Sequence, residues 1–397
     1  MKLDRRSFLK LVGSASIVAL PGCHDPARYS EADAAALERH WREERARSGT
    51  GPYGVQRFEG YRGLAELPYF ELDPAGTLRC TVDDLPEIVD IHAHLGMSLL
   101  LAPELDLEAR TARVRHYLDC DGATPGCAFD LDVYANANFS DAGLRALRWS
   151  VVAQLLWGSR VAATHTVPNL LAEMDAVRIA QAVILPIAFG LPFGDALYER
   201  WRAAITRAGA RDRLLMGASV HPRDPLAIEK LTRYAAEGAL IVKLHPAGQR
   251  FFPDSPEAAP IYESCEALGL PVIFHGGRAG IEPEYSHPFN LIRHYEGAFR
   301  DFPGVQFVLA HAGARDVAGA IPLAQRYPNV WLGIHGQGVT VLSQLIDEVG
   351  AQRLLFGTDW PFYHLAATLA KVLLVTDGRP ELRNQILRAN AERLLAI

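Results

Sequence analysis

Cysteine is scarce in this chain of 397 residues: Cys23, Cys80, Cys120, Cys127 and Cys265 are all there is, and no CxxC pair or zinc-ribbon spacing occurs among them. That excludes a cysteine-built metal module. Positive charge is in deficit, with 40 Lys and Arg against 46 Asp and Glu and a formal net charge of −6. Without a basic footprint, nucleic acid is excluded as a partner. The apolar run at residues 11–20 is too short to span a bilayer as a permanent helix. No low-complexity tract appears, and nothing repeats beyond an alternation of short apolar runs with helical patterns. Nearly half the residues are hydrophobic and 22% are charged, an ordinary composition with ample material for a core.

The first residues read as a targeting segment. Asp4-Arg5-Arg6-Ser7-Phe8-Leu9-Lys10, the apolar run and Pro21-Gly22-Cys23 together resemble a twin-arginine export signal over residues 1–23. Leu20-Pro21-Gly22-Cys23 also resembles a lipobox. Cys23 is then either a lipidated membrane tether or incidental to cleavage nearby. The expected location is the periplasm or cell envelope, by the twin-arginine route. In such an oxidising compartment Cys120 and Cys127 could close a small loop through a disulfide, or remain two thiols.

Residues 24–86 form an N-terminal extension, with a charged amphipathic helix at 31–47 and an irregular arm at 50–85. From residue 87 to 397 the chain becomes regular. Eight short apolar runs, at 88–92, 182–185, 214–220, 241–245, 272–275, 307–311, 330–334 and 354–357, suit strands buried on both faces. Helical patterns separate them, among them 226–237, 258–268, 288–301 and 341–349. Eight βα units predict an α/β fold closed as a (β/α)₈ TIM barrel. About 75 residues, 96–169, interrupt the rhythm after the first strand. This insertion, with a helix at 144–161, reads as a lid or specificity subdomain.

Polar residues gather at the strand ends. His92 and His94 stand two apart, so both imidazoles can face the barrel mouth. Lys243 and His245 repeat that spacing on the fourth strand. His275, His311 and Asp359 end the fifth, sixth and eighth. Imidazoles with a carboxylate are a normal zinc shell, and also suit manganese or iron. His221 and His335 end the third and seventh strands and could line the pocket. His165, His287 and His364 read as surface loop residues. Arg278 could clamp a substrate carboxylate or phosphate, or hold a loop salt bridge.

His92-Ala93-His94, Phe274-His275-Gly276, Ala310-His311 and Gly357-Thr358-Asp359-Trp360-Pro361 resemble the amidohydrolase superfamily, closest to its amidohydrolase-2 family of hydrolases, lactonases and non-oxidative decarboxylases. The resemblance implies a divalent metal, zinc first, on His92, His94, His275 and Asp359. Asp359 and His311 would be catalytic, taking the proton of a water that attacks a carbonyl or phosphoryl centre. A carboxylated Lys243 would bridge to a second metal held by His275 and His311; otherwise Lys243 contacts substrate, and one metal is expected. His245 is a substrate contact or merely packed. The implied activity is hydrolysis of an amide, lactone or ester of a small molecule. Non-oxidative decarboxylation of an aromatic or unsaturated acid is the alternative, and a non-catalytic tethered binding protein the third. A homodimer fits the exposed helices of such barrels.

Overall fold

A computed structural model describes residues 27–122 and 127–397. The twin-arginine segment and Cys23 lie outside the described residues. All eight expected strands form: β1 (Ile88–Ala93), β2 (Ile179–Ile184), β3 (Leu214–Met216), β4 (Val242–Leu244), β5 (Val272–Phe274), β6 (Phe307–Leu309), β7 (Val330–Gly333) and β8 (Leu354–Leu355). Strands β1 to β3 pair in parallel, as do β4 to β8. A bridge from Ala218 to Val242 joins the two arrays, and one from Ala93 to Trp360 closes the ring. The fold is therefore a TIM barrel, and its strands are almost wholly buried because helices cover their outer face.

The strands divide their apolar side chains between two layers. Val89, Ile91, Val183, Ile241, Ile273 and Val308 cluster with Ala391 and Leu394 of the closing helix Asn390–Leu395. Val242, Leu244, Val272, Phe274, Phe307 and Leu309 instead join the core made with the surrounding helices. In β1 the register against β2 breaks between Asp90 and Ala93, which bends the strand where its histidines leave it.

Two expected elements change form. The pattern at 288–301 is not one helix: it splits into 3₁₀ turns Glu284–Asn290 and Ile292–His294 and a short helix Glu296–Asp301. Pro288 offers no backbone N–H, and Leu291 is extended at φ −63° and ψ 129°. The arm at 50–85 is also more regular than expected. Phe70–Leu72 pairs with Leu78–Cys80, and Arg57–Glu59 pairs antiparallel with Ala128–Asp130 of the insertion. Strands of three residues are too short to show a period.

The insertion carries a helix at Asp141–Leu156, where Ser140 caps the N-terminus by accepting from Gly143 N at 3.2 Å. Cys120 and Cys127 form a disulfide, with Cα atoms 5.2 Å apart. The N-terminal helix Glu31–Arg47 begins in a capping box between Ser30 and Asp33. It lies against the face at the C-terminal ends of the barrel strands, where Trp41 stacks 3.6 Å from the Arg315 guanidinium and Glu44 pairs with Arg315.

Candidate metal centre

The end of β1 places two imidazoles side by side. His92 Nε2 and His94 Nε2 are 3.2 Å apart. Asp359 Oδ1 lies 3.6 Å from the first and 3.4 Å from the second. His94 Nδ1 donates to Leu185 O at 2.6 Å, which leaves its Nε2 lone pair facing its neighbours. Lys243 Nζ sits 3.1 Å from His92 Nε2. Burial lowers the Lys243 pKa to about 7, against the pull of Asp359.

Asp359 reaches this position through an unusual backbone. Its φ is +59°, a conformation few non-glycine residues adopt. Its N–H donates to His92 O at 2.8 Å, so strand β1 itself holds the residue there. Strain of this kind concentrates at functional sites.

Opposite stand His275 and His311. His275 Nε2 donates to Glu282 Oε1 at 2.8 Å, and its Nδ1 lies 3.2 Å from His311 Nε2. Burial raises the Glu282 pKa, but the hydrogen bond and charge of His275 outweigh it and bring the carboxyl to about 2. Tyr134 Oη, from the insertion, lies 3.1 Å from His311 Nδ1. His245 stacks flat on His275 with ring centres 4.2 Å apart. Beneath, His335 is fully buried, 4.3 Å by ring centres from both His92 and His311. Burial and the crowd of neighbouring imidazoles and Lys243 hold His92 and His311 far below the usual histidine range, hence neutral.

Among the described residues, two groups of three bring their ligand atoms within 4.8 Å: His92, His94 and Asp359, and His311, His335 and Asp359. Either group could hold a metal ion. His92 Nδ1 and both ring nitrogens of His335 are buried without a hydrogen-bond partner. Neutral nitrogens and one carboxylate, some left unsatisfied, are the donor chemistry of a divalent cation site. His275 belongs to neither group and touches the cluster through His311.

Other expectations need correction. Arg278 is not brought to the site. Its Nε and Nη2 grip Asp316 at 2.8 and 2.6 Å, and Nη1 donates to Asp33 O at 2.6 Å, so the fork is already filled. His165 and His287 are buried, and His364 is half-buried, because the insertion and the N-terminal segment fold over that face. His165 Nε2 donates to Arg115 O at 2.8 Å. Asp90 was readable as an acid inside an apolar strand, and it accepts from Thr358 Oγ1 and from the N–H groups of His92 and Thr358. Tyr134 carries no signal in the sequence, since its partner lies far along the chain, and Glu282 carries none because only the fold of the loop after β5 turns it back onto His275 seven residues earlier.

Glu173 supports the same loop from outside. It accepts from Trp360 Nε1 at 2.9 Å and lies 3.1 Å from His116 Nε2. Burial raises its pKa, but His116, His364 and these hydrogen bonds bring it from 4.5 to about 2. The folded value lies below the unfolded one, so the ionised carboxylate stabilises the fold above pH 4.5. That contribution is lost as pH falls toward 2, and amounts to about 3 kcal/mol when complete. Glu173→Gln is therefore expected to flatten the acid limb of a stability–pH curve taken by denaturant titration. An unchanged slope between pH 4.5 and 2 would count against this role.

A family model described as "Amidohydrolase" matches residues 89–397. Among solved structures, the chain is similar to an uncharacterized TIM-barrel protein from Bordetella bronchiseptica, at 27% identity over 59% of this chain and 84% of that one, with a TM-score of 0.50. It is also similar to 5-carboxyvanillate decarboxylase from Sphingomonas paucimobilis, at 19% identity over 62% and 90% of the two chains and a TM-score of 0.50. A third is an amidohydrolase from Burkholderia multivorans with bound HEPES, at 14% identity over 79% and 100% and a TM-score of 0.50. The last two likenesses concern the fold alone.

Proposed function

The chain belongs to the amidohydrolase family, and from that premise we propose that it is a metal-dependent hydrolase of an amide, lactone or ester bond in a small substrate. The observation that carries this reading is the convergence of His92 Nε2, His94 Nε2 and Asp359 Oδ1 within 4.8 Å. These three would hold a divalent metal, zinc first among the candidates, with His275, His311 and His335 beside them. When bound, such an ion supplies Lewis acidity and brings the pKa of water from about 15.7 to about 7.

The chain's own residues do the rest. Asp359, or His311 through Nε2, accepts the proton of a water that attacks the substrate carbonyl carbon. The bond to the leaving group breaks as that proton passes to it. Glu282 keeps His275 in one tautomer. Lys243 contacts the substrate, with one metal per chain expected; two would make it a carboxylated bridge. His245, stacked on His275, lines the same cavity.

A second reading rests on the cavity walls. Tyr117, Tyr134, Phe362 and Tyr363 surround the cluster and suit a planar aromatic acid. Decarboxylation would then move a proton onto the ring carbon as carbon dioxide leaves. Metal-loaded protein incubated in ¹⁸O-water with lactones, esters, amides and aromatic acids separates the two. Hydrolysis puts ¹⁸O into the product. Decarboxylation releases carbon dioxide and leaves the organic product unlabelled. Absence of metal-dependent turnover on every class would overturn both readings.

Export to an oxidising compartment is part of this proposal. The Cys120–Cys127 disulfide supports it, since such bonds are rare where thiols are kept reduced.

A further inference from the structure

A larger cavity, of about 1150 Å³, opens on the same face of the barrel, between the loops that follow β2, β3 and β4. It meets the metal-type cluster at Ile187, which lines both spaces. One face of it is apolar and aromatic, with Phe189, Phe252 and Phe289.

Its charges mostly cancel. Asp195 accepts from the N–H groups of Phe189, Gly190 and Leu191. Glu199 pairs with Arg233, Asp224 with Lys230, and Glu257 with Arg223. His221 donates to Gln249 O at 3.0 Å. Among the described residues, Arg250 is the one cation of this wall whose guanidinium has no ion pair or hydrogen bond. Its backbone, by contrast, is pinned. Arg250 O accepts from Arg223 Nη2 at 2.8 Å, and the residue sits in the left-handed region at φ 55° and ψ 51°.

The short helix Pro246–Gln249 connects this residue to the catalytic cluster. His245 caps its N-terminus, accepting from Gly248 N at 3.1 Å, and Arg250 ends it. Gln249 is buried and donates to both Ala188 O and Val220 O, which ties the three loops together. The position of the Arg250 backbone relative to the cluster is thus set by rigid structure.

We propose that the substrate runs from the cluster past Ile187 into this cavity, and that Arg250 binds a carboxylate at its far end. This rests on the cluster being the reaction site. It deepens that reading to a substrate class: an elongated molecule with an apolar or aromatic segment and a terminal carboxylate. A free guanidinium fork matches a carboxylate through two parallel hydrogen bonds.

Binding, measured by calorimetry on the metal-loaded protein, tests the proposal independently of turnover. The probes are 4-phenylbutyrate and its neutral amide. The acid is expected to bind at least about tenfold more tightly than the amide. Arg250→Gln should abolish that preference, and Arg250→Lys should keep part of it. Arg250 is exposed, and glutamine strains this backbone no more than arginine does, so the melting temperature should not move. An acid preference that survives Arg250→Gln would place the carboxylate at the metal instead and overturn the proposal. Equal binding of acid and amide, or no saturable binding of the acid, overturns it too. A failure of metal-dependent turnover would leave this binding result untouched.

Discussion

Asp359→Asn is expected to lower kcat/KM by about 10²–10³-fold or more on whichever substrate the isotope panel identifies, while the protein stays folded. The two side chains have the same shape. Asparagine also tolerates the left-handed backbone that Asp359 adopts at φ +59°. What changes is charge and proton affinity: an amide cannot take a proton from water, and it is a poorer metal ligand. The side chain faces His92 and His94 at 3.6 and 3.4 Å, so both functions are lost at one point. Melting temperature and circular dichroism serve as the controls. A folded variant that retains turnover within about threefold would remove Asp359 from the reaction. A protein that only binds its ligand would keep its affinity through the same change.

Gly277→Ala is expected to be the most damaging small substitution in the barrel. A Cβ there would lie 1.8 Å from Gly313 O and 2.3 Å from Gly313 C, both backbone atoms. The two loops cannot part to admit it. Arg278 bridges to Ala314, and its guanidinium grips Asp316. The residue is also at φ +74°, which costs an alanine about 1–2 kcal/mol before any clash. Overpacking adds about 1–3 kcal/mol, so a loss of about 3 kcal/mol or more is expected by denaturant titration. Because the segment after Gly277 carries Glu282 and the facing one carries His311, bound metal should fall as well. Gly209→Ala is the control: φ is +66°, but no atom lies within 4 Å of the added Cβ. It should cost only the backbone term of about 1–2 kcal/mol. Equal losses at the two positions would refute the contact argument.

The barrel and the polar residues at its strand ends were legible because both signals are local. A buried strand announces itself by a short continuous apolar run, and a polar residue at its end stands out within five or six positions. His92, His94 and Asp359 were readable in that way, and they do converge. The helix at Glu31–Arg47 was readable too, since its cap and charge pattern lie in one segment. The expected helix at 288–301 failed for the opposite reason, because Pro288 and the extended Leu291 break a pattern that composition alone smooths over.

By itself, then, the sequence determined that an eight-stranded barrel would form and that His92, His94, Lys243, His275, His311 and Asp359 would stand at its strand ends. Tertiary structure decided what each one faces. Arg278 and Arg250 are both loop arginines after barrel strands, and nothing local separates them. Folding spends the first on Asp316 and leaves the second open beside a cavity. His335 is one polar residue at the end of one strand until closure of the ring sets it under His92 and His311. Tyr134 acquires its partner only when two separate segments meet, and Glu282 reaches His275 only through the fold of the loop after β5. Pairing of charges and satisfaction of buried donors depend on distances between segments far apart in the chain, and those distances exist only in the closed barrel.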